Sequence, residues 1–468
     1  MPTVTDAAAL IRAGVLSAEE LTLTCLESIH ARNEELNAFV VLDAESAVDA
    51  ARDIDAVIRS GRGESLGPLA GVPFGVKDLE DCAGMPTTKG SRWYADDPPK
   101  STDSIHVARL RRAGAVPLGK TATPEFGAWA YTASPLLGIT RNPWDPTRTP
   151  GGSSGGSSAA VSSGMVPFAT ASDGGGSIRT PASFTGLVGL KTTYGRIPTI
   201  GSTHLAQNSV LGSLTTTVRD TALLLDVMAG PDDRDRTSLP TPPISYLDAV
   251  DTTDVAACRV TWSRDFGFAV VDERVAALCH DAALTFAEAI GTALIERPIV
   301  LDDYIRTYAA IEGVDKFVGV ERDLWEHRLG ELDPLAVSGW TAMRERTLPW
   351  AARVEETRRR LVHEVAAIFE DVDLIVTPMS SMPPFAAEGP MPTEIQGVAV
   401  HGGMSVVLAM LANLANLPAI SLPAGLVDGL PVGLQVIGPR FREDLLLAAA
   451  ARYEILRPWP RHAMDGAR

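Results

Sequence analysis

Residues 150–182 read PGGSSGGSSAAVSSGMVPFATASDGGGSIRTPA. The first half has the composition of a flexible Gly/Ser linker. A linker, however, is not followed at once by an apolar packing sequence, and AAVSSGMVPFA follows here. Farther on, Gly174, Gly175 and Gly176 stand directly before Ser177. Glycine reaches backbone angles closed to other residues, so three in succession can turn their N–H groups toward one point. Such a nest beside a nucleophile can hold the oxyanion of a tetrahedral intermediate, one donor being worth about 3 kcal/mol. The stretch therefore reads as built structure, with Ser153 and Ser177 as candidates for acyl transfer and the N–H groups of Gly174, Gly175 and Gly176 as a candidate oxyanion nest beside Ser177.

A serine hydroxyl needs a base to attack at neutral pH, and histidine is the usual one. All eight histidines (30, 106, 204, 280, 327, 363, 401 and 462) lie outside these segments. Lysine is scarce: Lys77, Lys89, Lys100, Lys120, Lys191 and Lys316 are all there are. A free amine is only about one part in a thousand neutral near pH 7.4, so a lysine base must be buried enough to lose two to three pKa units or so. Lys77, preceded by Val72, Pro73, Phe74 and Val76, is the best placed. Its bland alternative is partnership with Asp78 or another buried carboxylate.

Two familiar patterns match by chance. Gly114-Ala-Val-Pro-Leu-Gly119-Lys120-Thr121 fits the G-x-x-x-x-G-K-T phosphate loop letter for letter. It follows a helix rather than a strand, Pro117 has no N–H to offer, and Pro124 disrupts any helix after it. Gly151 to Gly155 fits the G-x-S-x-G nucleophile elbow, which needs a strand before it. NPWDPTRTP, with three prolines in nine residues, precedes it instead. No serine sits three residues before a lysine, so the S-x-x-K motif is absent.

Composition sets the outer limits. A chain of 468 residues with 45% hydrophobic and 21% charged residues is ordinary for a folded protein. Length alone would give about three domains. A net charge of −17 repels polyanions, which argues against nucleic acid or an anionic membrane as partner. Cys25, Cys82, Cys258 and Cys279 lie far apart with no C-x-x-C pair, so neither a zinc site nor a disulfide framework is indicated. No secretory signal is visible in MPTVTDAAAL, and a cytoplasmic location is expected. Residues 402–427 carry no charge, but Asn413, Asn416, Pro418 and Pro423 interrupt them, so a buried helix and a buried strand are expected there rather than a membrane span.

Along the chain, residues 4–60 read as helical, with a Ser17–Glu20 capping box before LTLTCLESIHA. SIHVARLRRA (104–113) reads as a helix capped by Ser104, then AVPLGK as a strand. A helix at 219–229, a proline-rich loop at 231–245 and a largely helical stretch at 270–370 follow. DLIVTPMSSMPPF, PAISLPAG and PVGLQVIG supply strands near the end. With strands at both ends and a helical middle, one α/β domain over 1–468 is expected. Its parts are N-terminal helices (1–60), a core (61–230), a mostly helical insertion (231–370) and a C-terminal return to the core sheet (371–468).

GGSSGGSSAAV followed by SDGGGSIRTPASFTGLVGLKTTYGR resembles the defining stretch of the amidase-signature family. The likeness extends to GVPFGVKD, LRRAGAVPLGKTATPEFG, TRNPWD, PAISLPAG and GLPVGLQVIGPRFREDLLL, leaving about 235–365 unmatched. The resemblance implies a large mixed β-sheet sandwiched by helices and a Ser–cis-Ser–Lys triad. By position, the resemblance implies that Ser177 attacks, Ser153 follows a cis peptide bond and relays the proton, Lys77 accepts it, and the peptide N–H groups of Gly174, Gly175, Gly176 and Ser177 form the oxyanion hole. Asp173 and Arg179 are expected to support the loop, with Ser154 and Thr180 around the triad. No metal or organic cofactor is implied. The family commonly has a larger residue, often Thr or Ile, where Gly174 stands.

The family's substrates range from primary amides and anilides to fatty acyl amides, nylon-type oligomers, carbamates and glutamine for tRNA-linked transamidation. FGAWAYTASPLLGIT (126–140) carries no charge, and Phe126, Trp129 and Tyr131 in it are candidate pocket residues or, equally, core. The preferred expectation is a free-standing amidase, monomeric or homodimeric, taking a neutral and fairly apolar small-molecule amide, aryl amide, carbamate or ester. In layout the chain is similar to nylon-oligomer- and urethane-cleaving members. The competing expectation is the A-subunit of a glutamine-dependent tRNA amidotransferase, which usually has a Met-Gly-Ser-Ser run before NPWD that this chain lacks. A binding-only pseudoenzyme is disfavoured by the intact Lys77, Ser153 and Ser177.

Overall fold

The computed structural model describes residues 1–200, 207–319, 327–334, 337 and 341–463. His204 and the side chain of Lys316, both named above, lie outside the described residues. Eleven strands form one mixed sheet. From one edge the order is Phe39–Leu42, Val116–Thr121, Pro73–Lys77, Phe168–Asp173, Val210–Thr215, Val188–Lys191, Ala419–Val427, Leu430–Ile437, Leu374–Pro378, Val260–Trp262 and Leu294–Ile295. Every residue of Leu430–Ile437 is buried, as is every residue of Pro73–Lys77 and Val116–Thr121. Consecutive buried residues point to opposite faces of a strand, so helices cover the sheet on both sides.

The sheet places the chemistry. Pro73–Lys77 and Phe168–Asp173 are parallel neighbours, with Phe74 opposite Phe168 and their rings stacked at 5.0 Å. Both strands therefore end at the same edge, bringing Lys77 beside the residues that run into Ser177. The carboxyl ends of parallel strands are the usual place for a site in such a sheet.

The Gly/Ser run opens a helix, Gly155–Ser162, in which every residue is buried. Small residues let it lie directly on strand backbone: a Cβ on Gly156 would run into the backbone of Ala122 and the carbonyl of Ala38. Its hydroxyls are spent locally, Ser157 donating to Thr170 O (2.8 Å) and Ser162 to Thr185 O (2.8 Å).

The expected helix over 4–60 is broken. Helices Val4–Arg12 and Ala18–Leu36, the latter with its Ser17–Glu20 capping box, are followed by the strand Phe39–Leu42 before helix Ala44–Arg59. Asn37 turns left-handed (φ 50°), and Asn33 Oδ1 takes the N–H groups of Ala38 and Phe39, releasing Phe39-Val-Val-Leu42 to pair antiparallel with Val116–Thr121. Ser104 does sit at the N-cap of Ile105–Arg112, but its hydroxyl accepts from Asp81 N instead. The uncharged 402–427 stretch is a buried helix, Val407–Leu414, and the strand Ala419–Val427. Among the described residues no helix is long and apolar enough to cross a membrane. The phosphate-loop lookalike is strand Val116–Thr121, with Lys120 buried against Asp78.

Gly156→Ala tests the close approach. Helix propensity alone would favour alanine by about 1 kcal/mol, whereas overpacking against backbone costs roughly 1–3 kcal/mol. The expected outcome is a lower denaturation midpoint than wild type in chemical unfolding.

Candidate active site

Lys77 ends its strand with no exposed surface. Its Nζ donates to Ser153 Oγ (2.8 Å), Ser154 Oγ (2.8 Å) and Ser172 Oγ (2.9 Å), and its backbone N–H to Thr170 Oγ1 (2.9 Å). Three hydroxyls thus lie within hydrogen-bond distance of the nitrogen. They suit an ammonium with three N–H bonds or an amine with two N–H bonds and a lone pair. Asp78 is not the partner: its carboxylate is 3.2 Å from Lys120 Nζ and bonded to the Thr88 hydroxyl. The Gly152–Ser153 peptide bond is cis.

Ser153 and Ser177 both line a cavity of about 280 Å³. The Ser177 hydroxyl is in no hydrogen bond among the described residues. None of the described histidines borders this cavity. His106 is instead buried against Glu80 at 2.9 Å. Among the described residues no group of three or more His, Cys, Asp or Glu side chains could hold a metal, and the four cysteines are free and buried.

The loop before Ser177 is fixed from below by a fully buried, bidentate ion pair: Arg179 Nε to Asp173 Oδ2 at 2.9 Å and Nη2 to Oδ1 at 3.0 Å. Arg179 also reaches Ala409 O, Gln435 Oε1 and Asn413 Oδ1. Asp173 in turn accepts from the N–H groups of Gly176 (2.7 Å) and Ile178 (3.2 Å) and from Asn413 Nδ2 (3.0 Å). Burial pushes its carboxyl up, but Arg179 and these donors outweigh that and hold it well below the usual carboxylate range.

The Gly176 N–H is thereby committed to Asp173. Those of Gly175 and Ser177 have no acceptor among the described residues, while the Gly174 carbonyl accepts from Asn208 Nδ2 at 3.3 Å. Thr180 lines the cavity and closes against Gly176, its N–H donating to Gly176 O at 2.6 Å.

The aromatic candidates divide. Phe126 and Trp129 line the cavity together with Leu79, Met391, Val406 and Met410. Tyr131 stands behind Trp129, with ring centroids 6.3 Å apart, in a small cluster with Phe184 and Phe385. Lys89, Glu312 and Asp315 also border the cavity, so its lining is not uniformly apolar.

A family model described as amidase matches residues 20–447. The chain belongs to the amidase-signature family. It is therefore a hydrolase of amide bonds, and among its relatives is the acylamidase of Rhodococcus erythropolis, 36% identical over 460 residues, or 97% of this chain and 95% of that one. The A-subunit of the glutamyl-tRNA(Gln) amidotransferase of Chloroflexus aggregans is 35% identical over 495 residues, covering 100% and 98%. Among solved structures, a bacterial aryl acylamidase of the same family superposes with a TM-score of 0.92 at 26% identity, covering 100% of this chain and 98% of that one.

Sequence reasoning on this amidase missed Ser172, Asn413 and Tyr308. Ser172 had a signal: with Thr170 it is the second of two alternating hydroxyls on the strand Phe168–Asp173, and both face Lys77. Asn413 had one too, since an amide inside an uncharged buried helix must find partners. Tyr308 had none, because its helix joins the cavity only through tertiary packing.

Lys191, another buried lysine, donates to the carbonyls of Thr192 (2.9 Å) and Leu417 (2.8 Å). Burial, then the charge of Arg179, bring it down from 10.5 to about 7 against the pull of Asp173 and Glu443. Above that value the folded state has released a proton that the unfolded chain keeps to about pH 10.4. Stability owed to this group therefore rises with pH across the window and is lost as pH falls through the folded value, by up to about 1.4 kcal/mol per unit. Lys191→Met should remove this slope, so wild type should gain on the variant between about pH 7 and 9 in denaturant titrations.

Proposed function

We propose that the chain cleaves small amides and aryl amides, with carbamates and esters as further substrates, through an acyl-enzyme on Ser177. The observation that carries this reading is the buried Lys77 Nζ held 2.8 Å from Ser153 Oγ at the wall of the cavity that also contains Ser177. In the attack, the Ser177 hydroxyl proton passes to Ser153 Oγ while the Ser153 proton passes to the neutral Lys77 amine. The new Ser177 Oγ–C bond converts the carbonyl to a tetrahedral oxyanion facing the free N–H groups of Gly175 and Ser177. On collapse the C–N bond breaks, and the proton returns from Lys77 through Ser153 to the leaving nitrogen. Water then repeats the sequence on the acyl-enzyme, releasing the acid. Ser154 and Ser172 also accept from Nζ and keep it aimed at Ser153. None of these steps needs a metal or an organic cofactor.

On this reading residues 1–468 act as one catalytic unit. Phe126, Trp129 and the methionines favour an apolar group near the scissile bond. Lys89, Glu312 and Asp315 make part of the lining polar, which narrows the expectation of a neutral and fairly apolar substrate. A second reading, glutaminase within a tRNA amidotransferase, is favoured by the Chloroflexus aggregans relative at 35% identity. Glutaminase activity appearing only on addition of partner subunits would place that reading first.

Ser177→Ala should abolish turnover of a chromogenic anilide, and Lys77→Met should lower kcat by roughly 10³-fold or more. A fluorophosphonate should form its adduct on Ser177, read by peptide mass spectrometry. Full activity in Lys77→Met, or an adduct on another side chain, would sink the reading.

A further inference from the structure

Helix Ile305–Gly319 lies in the stretch that no motif covers, yet Tyr308, Glu312 and Asp315 on it form one wall of the Ser177 cavity. It comes directly against the glycine loop. A methyl group on Gly175 would collide with the Tyr308 hydroxyl, and one on Gly174 would lie 3.4 Å from Glu312 Oε1. Asn208 ties helix to loop, its Nδ2 donating to Glu312 Oε1 at 2.6 Å and to the Gly174 carbonyl at 3.3 Å. Tyr308 is thereby held beside Gly175.

Its hydroxyl has no hydrogen-bond partner among the described residues, although the side chain borders the cavity. A part-buried hydroxyl that borders the cavity without a protein partner is open to a substrate there. Burial, followed by the charges of Glu312 and Asp173, pushes the phenol well above its usual range. The group therefore keeps its proton and acts as a donor. The loop has a matching shortfall, because the Gly176 N–H is already given to Asp173.

We propose that Tyr308 donates a hydrogen bond from its hydroxyl to the reacting carbonyl oxygen of the substrate, joining the N–H groups of Gly175 and Ser177 on the oxyanion side. The proposal rests on the reading of Ser177 as nucleophile and adds a side-chain donor to it. Tyr308 makes and breaks no covalent bond and keeps its proton throughout. Since negative charge on that oxygen grows toward the transition state, the contact acts on kcat more than on substrate binding.

Tyr308→Phe removes one oxygen and keeps the ring. With a chromogenic anilide, kcat should fall at least about tenfold while KM stays within about twofold and the melting temperature is unchanged. Labelling of Ser177 by a fluorophosphonate should slow in parallel, because Ser177 Oγ bonds to phosphorus as fluoride leaves and the phosphoryl oxygen occupies the same position as the carbonyl oxygen. Wild-type kcat and labelling rate in Tyr308→Phe would overturn the role of Tyr308 alone. So would a loss confined to KM, which would mark ground-state binding instead. A wild-type adduct on a residue other than Ser177 would remove the nucleophile reading itself, which separates the two failures.

Discussion

The buried pair of Asp173 and Arg179 is the constraint on which the site depends. Taking two charges out of water costs several kcal/mol each unless geometry and hydrogen bonds compensate. Here the guanidinium has partners in Asp173, Asn413, Gln435 and the Ala409 carbonyl, and the carboxylate accepts from Gly176, Ile178 and Asn413 as well. Those contacts join the end of Phe168–Asp173, the helix Val407–Leu414 and the strand Leu430–Ile437 at one point. A glycine-rich loop has little side chain with which to hold itself, and the pair supplies the anchorage from beneath. The same commitment uses up the Gly176 N–H, which decides which backbone donors face the cavity.

Above that anchorage, Lys77 and its hydroxyls form a second buried polar group, and the two differ in kind. Asp173 and Arg179 neutralise one another. Lys77 has neutral oxygens around its nitrogen, while Asp78, its neighbour in sequence, is drawn to Lys120. The two adjacent strands' lysines are thus sorted, Lys120 to a carboxylate and Lys77 to hydroxyls that include Ser153 at the cavity wall. The sheet makes the sorting possible, because Lys77 and Lys120 sit on neighbouring parallel strands with Val76 opposite Lys120. Lys77 and Lys120 are thus one residue out of register and point to opposite faces.

What could be read from the chain follows the range of the forces involved. That Lys77 and Ser153 would meet beside Ser177 was legible because few residue types suit such a site and glycine marks where backbone must turn. The core strands were legible as apolar runs, and the capping box at Ser17 and Glu20 as local hydrogen bonding. Phe39–Leu42 was hidden because it is only four residues long between two helices, and its strand character comes from a partner some 80 positions away. Phe126, Trp129 and Tyr131 looked alike in sequence, yet Tyr131 turns to Phe385 while the other two reach the cavity. Ser172 needed the alternation of its strand to be noticed. Tyr308 and Glu312 depend wholly on where a distant helix comes to rest.

The wall formed by Ile305–Gly319 separates two kinds of inheritance within one enzyme. Lys77, Ser153, Ser177 and the Asp173–Arg179 anchorage lie on segments outside the unmatched stretch, whereas this boundary of the cavity lies within it. New side chains at the Glu312 and Asp315 positions of that helix can therefore reshape what is admitted, while Tyr308 one turn away, set against Gly175, ties the same boundary to the glycine loop.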